Sequence, residues 1–189
     1  MKIFPSAVSS VILPMVLSFA GLVMVGTVQG CSDPVRSAAL DGLPEDPTPE
    51  GPTHRPGQPC VLCHTSGGQA SGAPFLFAGT VYETNDPKSA PAPNVLVQVV
   101  DGEKGTSSVQ IRTNAAGNFF IRPEDWSNSL GVFFPAKVQI YREDVGPKTM
   151  LTHISREPSC GGCHRNPNKK YVKSDLAGTV QQIYLRTAQ

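Results

Sequence analysis

The chain has 189 residues, with 16 Lys and Arg against 15 Asp and Glu, a formal net charge of +1 and a mean hydropathy of −0.14. A balance this even supplies no basic field and makes no case for a nucleic-acid partner. With 18 Gly and 18 Pro among the residues, short elements and many turns are expected in place of long helices.

After Met1 and Lys2 no charged residue occurs until Asp33. The apolar stretch includes Val11-Ile12-Leu13 and Met15-Val16-Leu17 and continues to Val28, so residues 1–30 read as a signal peptide or as a membrane anchor. The uncharged run is long enough for either, because a helix of about 20 apolar residues spans a bilayer. The small residue in Gly30-Cys31 resembles a bacterial lipoprotein processing box, although Gln29 stands where such boxes usually carry a small residue. Lipidation at Cys31 would tether the chain, whereas a free thiol there would leave it soluble after export. Residues 31–53 follow as a linker with Pro34, Pro44, Pro47, Pro49 and Pro52, a composition that cannot build a core.

The first chemical motif lies in residues 54–74, as Cys60-Val61-Leu62-Cys63-His64. Two cysteines separated by two residues and followed at once by histidine form the spacing that attaches a c-type haem: the thiols form thioethers to one porphyrin edge and the histidine ligates the iron. Residues 65–74 are too rich in Gly and Ser for a long helix.

Residues 75–152 change to the pattern of strands. Phe77–Tyr82 is a first candidate, and Val95, Val97 and Val99 alternate along a second. Val109, Ile111 and Thr113 line a third, and Asn114-Ala115-Ala116-Gly117 turns the chain into Asn118–Ile121. Ala136, Val138 and Ile140 face inward on a strand ending at Tyr141, the chain turns over Arg142–Pro147, and another strand is expected over Thr149–His153. Trp126, Phe133, Phe134 and Tyr141 are expected in the sandwich core or over a haem edge. About seven short strands predict a mainly β protein, a small Greek-key-type β-sandwich flanked by loop-rich haem-attachment segments.

A second motif, Cys160-Gly161-Gly162-Cys163-His164, falls in residues 153–175. Arg165, Lys169, Lys170 and Lys173 follow it and would face haem propionates or an acidic redox partner. Residues 176–189 form a last strand or tail, in which Ala177-Gly178-Thr179-Val180 echoes Ala78-Gly79-Thr80-Val81. The rival reading of the cysteines is two half-sites meeting as one zinc-like cluster of four thiolates, which leaves the adjacent histidines unexplained.

The two motifs resemble those of exported multihaem c-type cytochromes, here with two haems c. The segments Gly79–Tyr82, Pro93–Val99 and Thr113–Ile121 resemble the transthyretin-like or carboxypeptidase-regulatory-like sandwich, whose T-x-x-x-G-x-F element is matched by Thr113, Gly117 and Phe119. That family implies a structural or binding module with no catalytic residues to carry over.

The chain has four histidines. His64 and His164 are proximal ligands by motif, and His54 and His153 precede the two motifs, so bis-histidine ligation of two irons uses all four. Met150 is the alternative distal ligand at the second haem, and a core role competes with ligation there. Which distal residue serves which haem stays open at this level.

The function expected is electron transfer outside the cytoplasm, in the periplasm or attached to the outer membrane or cell surface, with redox proteins or a surface electron-transfer assembly as partners. Two alternatives remain: a dihaem redox enzyme of peroxidase type, for which Arg55, Arg156 and Glu157 are acid, base or charge-stabilising candidates, and a cell-surface binding module with structural haems.

Overall fold

The computed structural model describes residues 34–102, 105–127, 132–156, 158–164 and 182–187. Cys31, Glu157, the apolar residues 1–30 and the basic run after His164 lie outside the described residues. The architecture is mainly β, with seven strands among the described residues in two sheets around one core, as the alternation predicted.

Strand β1 (Phe77–Thr84) is the centre of the smaller sheet. It pairs antiparallel with β4 (Asn118–Ile121) and parallel with β7 (Ile183–Arg186). The larger sheet has the order β3-β2-β5-β6, formed by β2 (Leu96–Asp101), β3 (Ile111–Arg112), β5 (Ala136–Arg142) and β6 (Gly146–Thr149), all antiparallel.

Alternation puts Val97, Val99 and Asp101 of β2 and Ala136, Val138 and Ile140 of β5 on the inner face. Asp101 apart, they meet Phe77, Val81, Phe119, Ile121, Trp126 and Leu185 in one apolar cluster. Each such side chain contributes about 1.5–3 kcal/mol by leaving water. Tyr141 falls on the odd positions of β5 and is exposed, as is Phe134, so these two are not core; Trp126 is.

Strand β6 starts three residues before the position expected from the sequence. Arg142 pairs with Gly146 across the three-residue turn Glu143–Val145, and Gly146 has φ +83, the left-handed conformation that such hairpins require. The segment read as a tether contains helix α1 (Pro34–Asp41), where proline at the first turn precedes Ala38, Ala39 and Leu40, good helix formers. No helix among the described residues is long and apolar enough to cross a membrane.

The Thr113–Phe119 element has a direct physical basis. The Thr113 hydroxyl donates to the Ala92 carbonyl at 2.7 Å and accepts from the Val95 amide at 2.9 Å. The Asn114 side-chain oxygen accepts from the amides of Ala116 and Asn118, Gly117 adopts φ +69 directly beneath the Val81 carbonyl, and Phe119 enters the core.

Candidate functional site

Each cysteine motif forms a single helical turn, which places its two cysteines on one side and its histidine at the end. In the first, a 3-10 turn spans Cys60–Leu62, and the Cys63 and His64 amides both donate to the Cys60 carbonyl, at 3.1 and 3.0 Å. In the second, α2 (Cys160–Cys163) ends with the His164 amide on the Cys160 carbonyl at 2.7 Å. All four cysteines are free thiols. Burial pushes the Cys60 thiol up to about 11.

Both turns are docked on β1. The Gly57 amide donates to the Thr80 hydroxyl at 2.6 Å, which holds the first segment on one face of the strand. Ser159 bridges Ala78 in parallel, and Cys160 packs so closely on Gly79 that a Cβ there would lie 2.6 Å from the Cys160 Cβ. The segments also abut each other: a Cβ on Gly161 would lie 2.6 Å from the Gln58 carbonyl oxygen and 3.0 Å from the Pro59 nitrogen. Glycine at 79 and 161 is therefore a packing requirement.

The structure brings His54 to His64. Their ring centroids are 5.9 Å apart with an interplanar angle of 39°. Two imidazoles bound to one metal through Nε2 have centroids roughly 6 Å apart, from two metal–nitrogen bonds of about 2 Å and two ring radii of about 1.1 Å. Both Nδ1 atoms are engaged by backbone carbonyls, His54 with Gly51 and His64 with Ala73, the latter at 2.8 Å. An Nδ1–H donated to a carbonyl fixes the tautomer in which Nε2 carries the free lone pair.

Three residues that sequence reasoning missed hold this arrangement. The buried Thr80 hydroxyl donates to the Asn118 side-chain oxygen at 2.7 Å, and the Asn118 amide group donates to the carbonyls of His54 at 3.0 Å and Pro52 at 3.3 Å. Asn114 reaches the same Pro52 carbonyl at 2.5 Å. On its other side His64 stacks on Phe75 at 4.0 Å, and Phe75 stacks on Phe120 at 4.9 Å. Arg55 is turned away into hydrogen bonds with Gln58 and Pro44.

The second motif opens onto a cavity of about 960 Å³ between the sheets, within the size range of cofactor sites. Cys160, Cys163 and His164 line it together with both distal candidates, Met150 and His153. His153 is exposed, and Met150 is half-buried against the core with its amide on the Val138 carbonyl at 2.9 Å. Val138, Ile140 and Ile183 supply apolar wall; Lys148 and Arg156 line it as cations, and among the described residues no Asp or Glu does. Gln182 is 2% exposed at the edge of this cavity. Its amide group donates to the carbonyls of Thr84 and Asp86 at 2.8 and 2.6 Å, which fixes its orientation and leaves Oε1 without a partner among the described residues.

The proximal and distal candidates therefore sort by neighbourhood, His54 with His64, and His153 and Met150 with His164. The donor sets suit a covalently attached haem at both places: two thiols on one side of a helical turn, a histidine one step beyond, and a second axial donor nearby. Among the described residues no three or more His, Cys, Asp or Glu side chains are grouped to hold a metal ion, so the four thiols do not form one cluster.

The β7 wall of the cavity is tied to the rest of the sandwich by ion pairs. Arg142 binds Glu83 through two contacts of 2.5 and 2.7 Å and Asp144 at 2.8 Å, and Arg186 of β7 reaches Glu83 at 3.4 Å and also pairs with Asp144. The hydrogen bonds from Arg142 hold the Glu83 carboxyl below the usual range, and those from Arg142 and Arg186 pull Asp144 down to about 2. No family model, curated protein or solved structure matches this chain.

Proposed function

We propose that the protein transfers electrons outside the cytoplasm through two haems c, one attached at Cys60 and Cys63 with His64 as proximal ligand, the other at Cys160 and Cys163 with His164. The observation that carries this reading is the pairing of His54 with His64 at 5.9 Å, each ring oriented by an Nδ1–carbonyl contact, beside a Cys-x-x-Cys-His turn. His54 is accordingly the distal ligand of the first haem, and His153, with Met150 as the alternative, that of the second. A bound haem would supply one-electron exchange at its iron. The chain's own part is to fix two imidazole planes at the first site and to keep the two attachment turns side by side on β1.

Export by the N-terminal segment, with lipidation at Cys31 holding the chain at a bacterial membrane, suits covalent haem attachment outside the cytoplasm. The redox partners would be proteins of the periplasm or of a surface assembly. The test is the full chain purified from a host that attaches haem. Peptide mass should show two haems, and electron paramagnetic resonance should show low-spin ferric iron. His54→Ala should convert the first haem to a high-spin or water-ligated state. Zinc, a disulfide within either pair, or a low-spin spectrum untouched by His54→Ala would overturn the reading.

The open cavity and the exposed His153 favour one second reading, a dihaem redox enzyme in which the second iron takes substrate. Rapid peroxide turnover, together with carbon monoxide binding by one haem of the reduced protein, would favour it over a pure carrier.

A further inference from the structure

The cavity at the second motif has two chemically distinct ends, and the strand registers measure the distance between them. At one end Cys160 packs on Gly79 and Ile154 bridges Ala136. At the other, Tyr184 pairs with Tyr82 and Lys148 pairs with Ile140. Gly79 to Tyr82 is three residues and Ala136 to Ile140 is four, so the ends are about 10–13 Å apart at 3.3 Å per residue. The Lys148 ammonium lies 4.8 Å from the Tyr184 ring centroid, and no carboxylate among the described residues pairs with it. The lining between the ends is largely apolar, and among the described residues it contains no acid.

A porphyrin joined to protein by thioethers carries its two propionate carboxylates on the edge opposite the attachment. With the thioethers at Cys160 and Cys163, those carboxylates would come to the Tyr184 end. A carboxylate entering an apolar cavity needs a cation or several donors to offset its lost hydration. Among the described residues Lys148 is the lining cation at that end; Arg156, two residues beyond Ile154, belongs to the thioether end.

We infer that Lys148, braced against the face of Tyr184, is the carboxylate-binding residue of this cavity and anchors a propionate of the second haem. The inference rests on the haem reading above and adds a residue to it. Lys148 then acts as a positioning residue with an electrostatic effect: its positive charge disfavours ferric iron and raises the potential of the second haem relative to the first.

The experiment uses the full, haem-loaded chain and its Lys148→Gln, Lys148→Arg and Arg156→Gln variants. Potentiometric titration followed optically should show the second haem of Lys148→Gln shifted to lower potential by about tenfold in its one-electron equilibrium, close to 59 mV. The propionate bending band in resonance Raman should move with it. The first haem should not shift, Lys148→Arg should restore the potential, and Arg156→Gln should leave the Raman band in place. An unchanged second potential in Lys148→Gln, or an equal effect of Arg156→Gln on the propionate band, would overturn the assignment of Lys148. Peptide mass separates that failure from failure of the underlying reading, because absence of haem on Cys160 and Cys163 would remove both.

Discussion

The two cysteine motifs share one local sequence pattern and one turn geometry, yet their surroundings differ. Around the first, polar contacts are complete: His54 and His64 face each other, both Nδ1 atoms have acceptors, and Thr80 and Asn118 secure the backbone from beneath. The second borders a cavity of about 960 Å³ with an exposed histidine on its lining and an unpartnered Gln182 oxygen at its edge. One site is organised by hydrogen bonds and stacking. The other is bordered by largely apolar walls. The same cysteine and histidine pattern thus lies in two different surroundings, and the sandwich determines which.

The largest expected disturbance of this contrast is Gly161→Val. Its Cβ would lie 2.6 Å from the Gln58 carbonyl oxygen, against the backbone of the Gln58–Pro59 peptide, so the two turns must separate. Overpacking of this kind costs about 1–3 kcal/mol. Urea unfolding should show that loss, and unchanged stability would mean that the turns do not abut.

Asn118→Ala comes next and acts on the first site alone. It removes the donors to His54 and Pro52 and strips the buried Thr80 hydroxyl of its acceptor, an expected loss of about 1–3 kcal/mol. Hydrogen exchange should rise at residues 52–57 and stay unchanged around Met150 and His153. Equal effects at both places would erase the contrast.

Acid should produce the smallest effect, centred on the second site. Glu83 and Asp144 have folded pKa values below their unfolded ones, about 4.3 and 3.9 for the free groups. Their contribution is therefore full above that range and is lost as pH falls through the folded values, toward 2 for Asp144. Because the pairs are partly solvated, the change is modest and screened by salt. Titration from pH 6 to 2.5 should raise exchange in β7 before β4, and Arg186→Met, which removes the ion pairs of β7 itself, should reduce the pH dependence of that difference.

The sandwich was legible where one face of a strand is buried. Val95, Val97 and Val99, and likewise Ala136, Val138 and Ile140, alternate cleanly, and the turn around Asn114 and Gly117 announces itself. Strand β6 was misplaced because Gly146-Pro147-Lys148-Thr149 has no branched apolar residue to signal it; its pairing comes from β5. Helix α1 was hidden by the prolines on its C-terminal side. At the site, the cysteine spacing was plain, but the partner of each distal residue was not. The choice of His54 for His64 depends on Thr80 and Asn118, contacts between residues more than 20 positions apart in the chain, which local pattern does not encode.

Both cysteine turns rest on β1, a strand bonded on each edge within its sheet. No hinge lies between their anchors at Gly79 and Thr80, which are consecutive residues. A hydrogen bond at one anchor and close packing at the other therefore keep the turns side by side on a single strand. Moving one relative to the other would require breaking those contacts, because no linker between them can bend.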